Sequence, residues 1–287
     1  MLAMLPVKTV FLRAVAIVAV LLVSSNTYAR PVDEVVESGE ITVFVYSDYA
    51  PYSWDDNGTM RGIDVEIAQH FGKALGVKVN MLMRGADENI DDDLRINIWK
   101  GDLIHRKYAD VMMHAPFDRE VDVRNELAVL TSPYFQEEIA IVVDTVKAPD
   151  VRHFGYFVSR PIAAELDTAS DFFLSNAFRG QLHPSIRRGR TFADTAALYL
   201  DGKVAAMMGS KAQAQWVAKQ ATSIESEVMQ PPMPGIVRRE WPVGIAIKHD
   251  SRDLGYALGD VLTELIDSGE MAKICEKYGV SYNEPER

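Results

Sequence analysis

The sequence predicts an α/β protein of two lobes joined by a two-strand hinge, with a ligand cleft between the lobes. Three observations carry that expectation. A βαβ unit is complete early in the chain, where the β-branched run Ile41–Tyr46 and the alternating run Val77–Met83 flank a helical period from Ile63 to Leu75. The strand and helix pattern then restarts between about 144 and 237. Two further apolar runs, Ile139–Val143 and Val243–Ile247, flank that middle segment, as two crossings between lobes would.

Residues 1–29 differ in kind from the rest. Lys8 and Arg13 precede the uncharged apolar run Ala14–Val23, and small residues follow at Thr27 and Ala29. These are the parts of a cleavable signal peptide, so export with cleavage after Ala29 is expected; the run is shorter than the roughly 20 residues that span a bilayer. Removing this segment takes two basic residues from 30 and no acidic one from 41, leaving 28 against 41 and a formal charge of −13. Such a surface repels phosphate backbones and anionic lipid, so nucleic acid is not an expected partner and no membrane insertion is expected after signal removal. With Cys275 as the single cysteine, no internal disulfide can form.

In chain order, a short helical or irregular entry at Val32–Ser38 leads to the first strand. An aromatic loop follows, with Tyr49, Tyr52 and Trp54, and turns at Asp55-Asp56-Asn57-Gly58. The helix from Ile63 stops at Gly76. Glu88, Asp91, Asp92 and Asp93 lack the spacing of a calcium loop and read as solvated acids before a helix expected over Leu94–Leu103. Asp110–Met113 is a short buried strand, and Ala128–Leu130 leads to Ser132-Pro133-Tyr134. In the middle segment, strands are expected near Pro161–Ala164 and Val204–Met208, with helices over Ala169–Phe178, Ala193–Tyr199 and Gln213–Gln220. Helices over Asp253–Ser268 and Met271–Tyr278 close the chain.

Several short stretches, in this order and spacing, carry a resemblance. They are Asp48-Tyr49-Ala50-Pro51-Tyr52-Ser53, Gly62-Ile63-Asp64-Val65-Glu66, Ala109-Asp110-Val111-Met112-Met113, Ser132-Pro133-Tyr134, Asp201-Gly202-Lys203-Val204-Ala205-Ala206, and Gly269 to Gly279. Together they resemble the amino-acid-type (family 3) periplasmic solute-binding proteins, which have the type II two-lobe fold. The resemblance implies a first lobe of residues 30–137 plus 243–287, a second lobe of 144–237, and hinges near 138–143 and 238–247. It also implies a periplasmic protein that closes on a small polar or carboxylate-bearing ligand for an ABC permease.

The resemblance places ligand contacts at Tyr49 and Tyr52. Tyr46 stands where the family often has an acid for a cationic side chain, and Ser210 where an aspartate pairs with an α-ammonium. Losing both acids implies a ligand that is not an ordinary amino acid. Either Arg119 or Arg124 falls near the family's carboxylate-binding arginine. His114 replaces a residue that binds the ligand main chain, and Thr168 starts a helix whose amide groups could meet an anion. Met112-Met113-His114-Ala115-Pro116 looks more like a subgroup encoded with periplasmic quinoprotein (PQQ) alcohol dehydrogenases, including the J proteins of methanol oxidation. That likeness implies an alternative partner, a quinoprotein dehydrogenase.

Enzyme motifs fare poorly. G-x-S-x-G, H-E-x-x-H and C-x-x-C do not occur, and the six histidines lack ligand-like spacing. No catalytic residue, metal or cofactor is expected.

Overall fold

The computed structural model describes residues 30–102, 107–236 and 238–286. The expected signal segment and its cleavage site lie outside them, as does Leu103 at the end of the helix expected from Leu94.

Helix α1 (Val32–Ser38) ends at Gly39, whose left-handed backbone turns the chain into β1 (Glu40–Tyr46). The expected loop turn is a hairpin, β2 (Trp54–Asp56) and β3 (Thr59–Arg61), closed by Asn57 and Gly58 at positive φ. Helix α2 (Ile63–Leu75) and β4 (Lys78–Arg84) complete the βαβ unit, with β4 parallel to β1 from Glu40↔Lys78 to Tyr46↔Arg84. Ile63, Ile67 and Phe71 fall on one face of α2 and are wholly buried.

Next come α3 (Ile90–Leu94), β5 (Val111–Pro116), α4 (Arg119–Arg124) and β6 (Ala128–Asp144). The helix expected over 94–103 is instead α3 followed by one π-helical turn, Arg95–Trp99. Its start is earlier because Asn89 caps it, accepting the Asp92 N–H through its side chain. The two apolar runs 128–130 and 139–143 form one strand of 17 residues.

The second lobe contains β7 (Ile162–Glu165), α5 (Ala169–Asn176), β8 (Ile186–Gly189), α6 (Phe192–Leu200), β9 (Ala206–Ser210), α7 (Lys211–Gln220) and β10 (Ser226–Met229). Strands β8 and β10 were not expected, being four-residue edge pieces with charged or polar residues. Strand β11 (Glu240–Lys248) returns to the first lobe, followed by α8 (Arg252–Asp267) and α9 (Glu270–Lys277).

The strand order is β4-β1-β5-β11-β6-β9-β7-β8, with β10 also on β6. Strand β6 belongs to both lobes. Its first part pairs with β11, from Ala128↔Lys248 to Glu138↔Glu240, and its second part pairs with β9, from Ile139↔Ser210 to Val143↔Ala206. Each lobe packs apolar clusters against its own sheet; in the first, Val43, Val45, Val111, Ile245 and Leu258 join the α2 face. Because sheet register is fixed by which face is buried, the change of partners at Glu138 and Ile139 marks the boundary between lobes.

The lobes also touch beside this crossing. Trp54 lies edge-on to Trp216 of α7, ring centroids 5.9 Å apart. The Ser281 N–H donates to Gln215 Oε1 of α7 at 3.0 Å.

Candidate functional site

The signature loop is built by the needs of a helix end. The first N–H groups of α2 have no partner within the helix, and the loop supplies them: Ile63 N–H donates to the Pro51 carbonyl (3.0 Å) and Asp64 N–H to that of Tyr52 (2.9 Å). Gly62 is required between them. Its φ is +132°, and a Cβ there would lie 2.0 Å from the Tyr52 carbonyl oxygen.

This fastening stacks the loop's tyrosines at the carboxyl end of β1. Tyr49 packs on Tyr52 with centroids 5.4 Å apart and meets Tyr46 edge-on at 5.8 Å. His114, at the carboxyl end of β5, lies 4.1 Å from the Tyr52 ring and 5.1 Å from Tyr49. The Tyr46 hydroxyl donates to Asp93 (2.8 Å), and the Tyr134 hydroxyl donates to Asp64 (2.6 Å) and accepts the His114 N–H (3.1 Å). Burial holds all four tyrosine hydroxyls protonated by pushing them well above their ordinary range.

Above this floor is a cleft of about 550 Å³ with walls from both lobes. The first lobe contributes Tyr46, Asp48, Tyr49, Asp93 and His114; the second contributes Glu165, Thr168 and Arg190. A smaller chamber of about 150 Å³ shares Tyr49, Glu165, Thr168 and Trp241 and reaches Ser170 and Ser210.

Tyr46, Tyr49, His114 and Thr168 thus line the cleft, and Ser210 the chamber beside it. Tyr52 is wholly buried behind Tyr49. Arg119 and Arg124 are not brought to the cleft: both are exposed on α4, and Arg124 pairs with Asp91 at 2.9 Å. Asp118 caps their helix, accepting the N–H groups of Glu120 and Val121. The Thr168 and Ser210 side chains serve as helix caps, accepting the N–H groups of Asp171 and Gln213.

The expectation of a cleft poor in negative charge is corrected here. Asp48, Asp93 and Glu165 line it, all away from positions 46 and 210. Glu165, at the end of β7, is half-buried, and its carboxylate has no hydrogen bond or ion pair among the described residues; burial, then Asp48, push its carboxyl up to about 7. Glu137 is wholly buried beneath the floor, with its carboxyl raised chiefly by burial. Sequence signals for both existed. Glu165 ends a strand, where open α/β sheets form crevices. Glu137 alternates with the apolar Phe135 and Ile139, so period-two reading turns it inward.

Comparison with known structures decides the fold. An ancestral cationic amino acid solute-binding protein superposes with a TM-score of 0.67 at 23% identity, over 86% of this chain and 99% of the other. The chain has the fold of type II periplasmic binding proteins. A Streptococcus pneumoniae substrate-binding protein of an amino acid ABC transporter, solved with L-arginine, gives a TM-score of 0.63 at 21% identity, over 88% and 99% of the two chains. Residues 41–95, which hold β1, the signature loop and α2, match the family described as bacterial extracellular solute-binding proteins, family 3. The L-cystine-binding protein TcyJ of Escherichia coli K12 is 23% identical over 271 residues, 92% of each chain.

Proposed function

We propose that the protein is an exported solute receptor that closes on a small polar ligand bearing a cationic group and hands it to an ABC permease in the membrane. The observation that carries this reading is Glu165, an unpartnered carboxyl in the second lobe that faces Asp48 of the first lobe across the cleft. A cation held between them is attracted by both lobes at once, and such a ligand favours the closed state because it makes its full contacts only there. Arg190, exposed at the same cleft and without a partner among the described residues, is placed to meet an anionic group of the ligand. The relatives that bind L-cystine and L-arginine support a ligand of this general chemistry. An α-ammonium would here meet Glu165 rather than an acid at Ser210, so the ligand need not be an ordinary amino acid.

Closure is assigned to hinges near 138–143 and 238–247, where β6 changes partners and the chain returns into β11. The relatives named above are binding proteins, which favours binding over catalysis. No dehydrogenase accessory protein is among them, and no observation in the structure favours that alternative.

Thermal-shift measurements with L-arginine, L-cystine, putrescine, succinate and glycerol test the reading. Stabilisation by a cationic compound, lost in Glu165→Gln, is expected. Stabilisation by succinate or glycerol alone would overturn it.

A further inference from the structure

Beneath the cleft floor lies a group of buried side chains that ligand binding does not use. Two carboxylates flank one imidazole: Asp64 Oδ2 is 3.4 Å from His114 Nδ1, and Glu137 Oε1 is 3.7 Å from His114 Nε2. All three residues are more than nine-tenths buried. They come from three elements, α2, β5 and β6. Around them stand Tyr49 and Tyr52 from the loop, Tyr134 from β6, Ser210 at the start of α7 and Cys275 of α9.

The two acids are not equivalent. Asp64 accepts the Tyr134 hydroxyl and sits in the first turn of α2, where the helix dipole favours a negative charge. Glu137 has less support: neither of its oxygens, nor the Tyr52 hydroxyl, makes a well-formed hydrogen bond, and Tyr52 and Ser210 nearby only partly offset the burial that raises its carboxyl. An ionised carboxylate in these surroundings, close to a second carboxyl group, is unfavourable. One proton on Glu137 removes that charge.

We propose that Glu137 keeps its proton at neutral pH, and that it is a positioning residue holding His114, and through it Tyr49, against the cleft. The Tyr49 hydroxyl lies 3.4 Å from His114 Nε2, so the floor of the cleft rests on this contact. Glu137 directly precedes Glu138 and Ile139, where β6 passes from one lobe to the other. The proton therefore joins the ligand-facing surface to the crossing strand. Its loss as pH rises leaves an unneutralised carboxylate inside the first lobe.

The test compares melting of the ligand-free protein across pH. Glu165 also titrates near neutrality, so E165Q is compared with the double variant E137Q/E165Q. Below about pH 3.5, where an ordinary Glu is largely protonated, the two should melt alike. As pH rises to about 9, E165Q should fall several degrees below the double variant, because only it must ionise or keep neutral a buried acid. A difference that does not change with pH would overturn the proposal, since a purely structural role for Glu137 predicts no pH dependence. Should the double variant fail to fold, carbon-13 spectra of glutamate-labelled E165Q decide: one carboxyl should still be protonated above pH 6, and ordinary titration of every glutamate would sink the idea.

Discussion

The two walls of the cleft are built on opposite plans. In the first lobe, the signature loop is tied to α2 by main-chain bonds, its tyrosines stack, and the hydroxyls of Tyr46 and Tyr134 are committed to Asp93 and Asp64. In the second lobe, Glu165 and Arg190 have no partners among the described residues, while Thr168 and Ser210 spend their hydroxyls on capping. Apart from Asp48 at its rim, the first wall is a finished surface. The second holds uncommitted charge, so discrimination among ligands should reside there.

The sharpest way to break this contrast is Glu165→Ala, which should lower affinity for a cationic ligand at least tenfold, about 1.4 kcal/mol or more, by titration calorimetry. An unchanged affinity would move selectivity to the other wall. Wild-type affinity should also depend on pH: below about 7 Glu165 takes up a proton and the ligand loses its partner, so binding weakens as pH falls through that value and levels off above it. In the ligand-free protein the sign reverses. A carboxyl raised to about 7 contributes stability that is complete below its unfolded value and lost as pH rises through 7, so Glu165→Gln should melt higher than wild type at pH 8 and about equally at pH 4.

Arg190→Ala should weaken a ligand that carries a carboxylate and leave a plain diamine unaffected, which separates the two charges of the second wall. The smallest effect is expected at Arg124→Ala. Its ion pair with Asp91 is exposed on both sides, and such pairs contribute roughly 0–1 kcal/mol, so binding should be unaltered and melting nearly so.

How far the sequence reached follows from the same contrast. The βαβ unit and the restart of the pattern were legible because they rest on apolar periodicity, which burial enforces residue by residue. The aromatic face of the cleft was legible because Gly62 and the tyrosines form one local motif. The charges were not, because they come from positions that only folding unites: Asp48 after β1, Asp93 in α3, Glu165 after β7 and Arg190 after β8. Arg119 and Arg124, expected at the cleft from counting along the chain, lie exposed on α4, since spacing alone does not encode direction.

The aromatic contact between lobes gives the molecule a built-in optical reporter. Trp54 and Trp216 come from opposite sides of the crossing and lie 5.9 Å apart, while Trp241 sits on the cleft itself. Rotation of one lobe against the other must change the coupling of the first pair, and arrival of a ligand must change the solvent around the third. Intrinsic fluorescence and near-ultraviolet dichroism should therefore report closure and occupancy as separate signals, without any label attached.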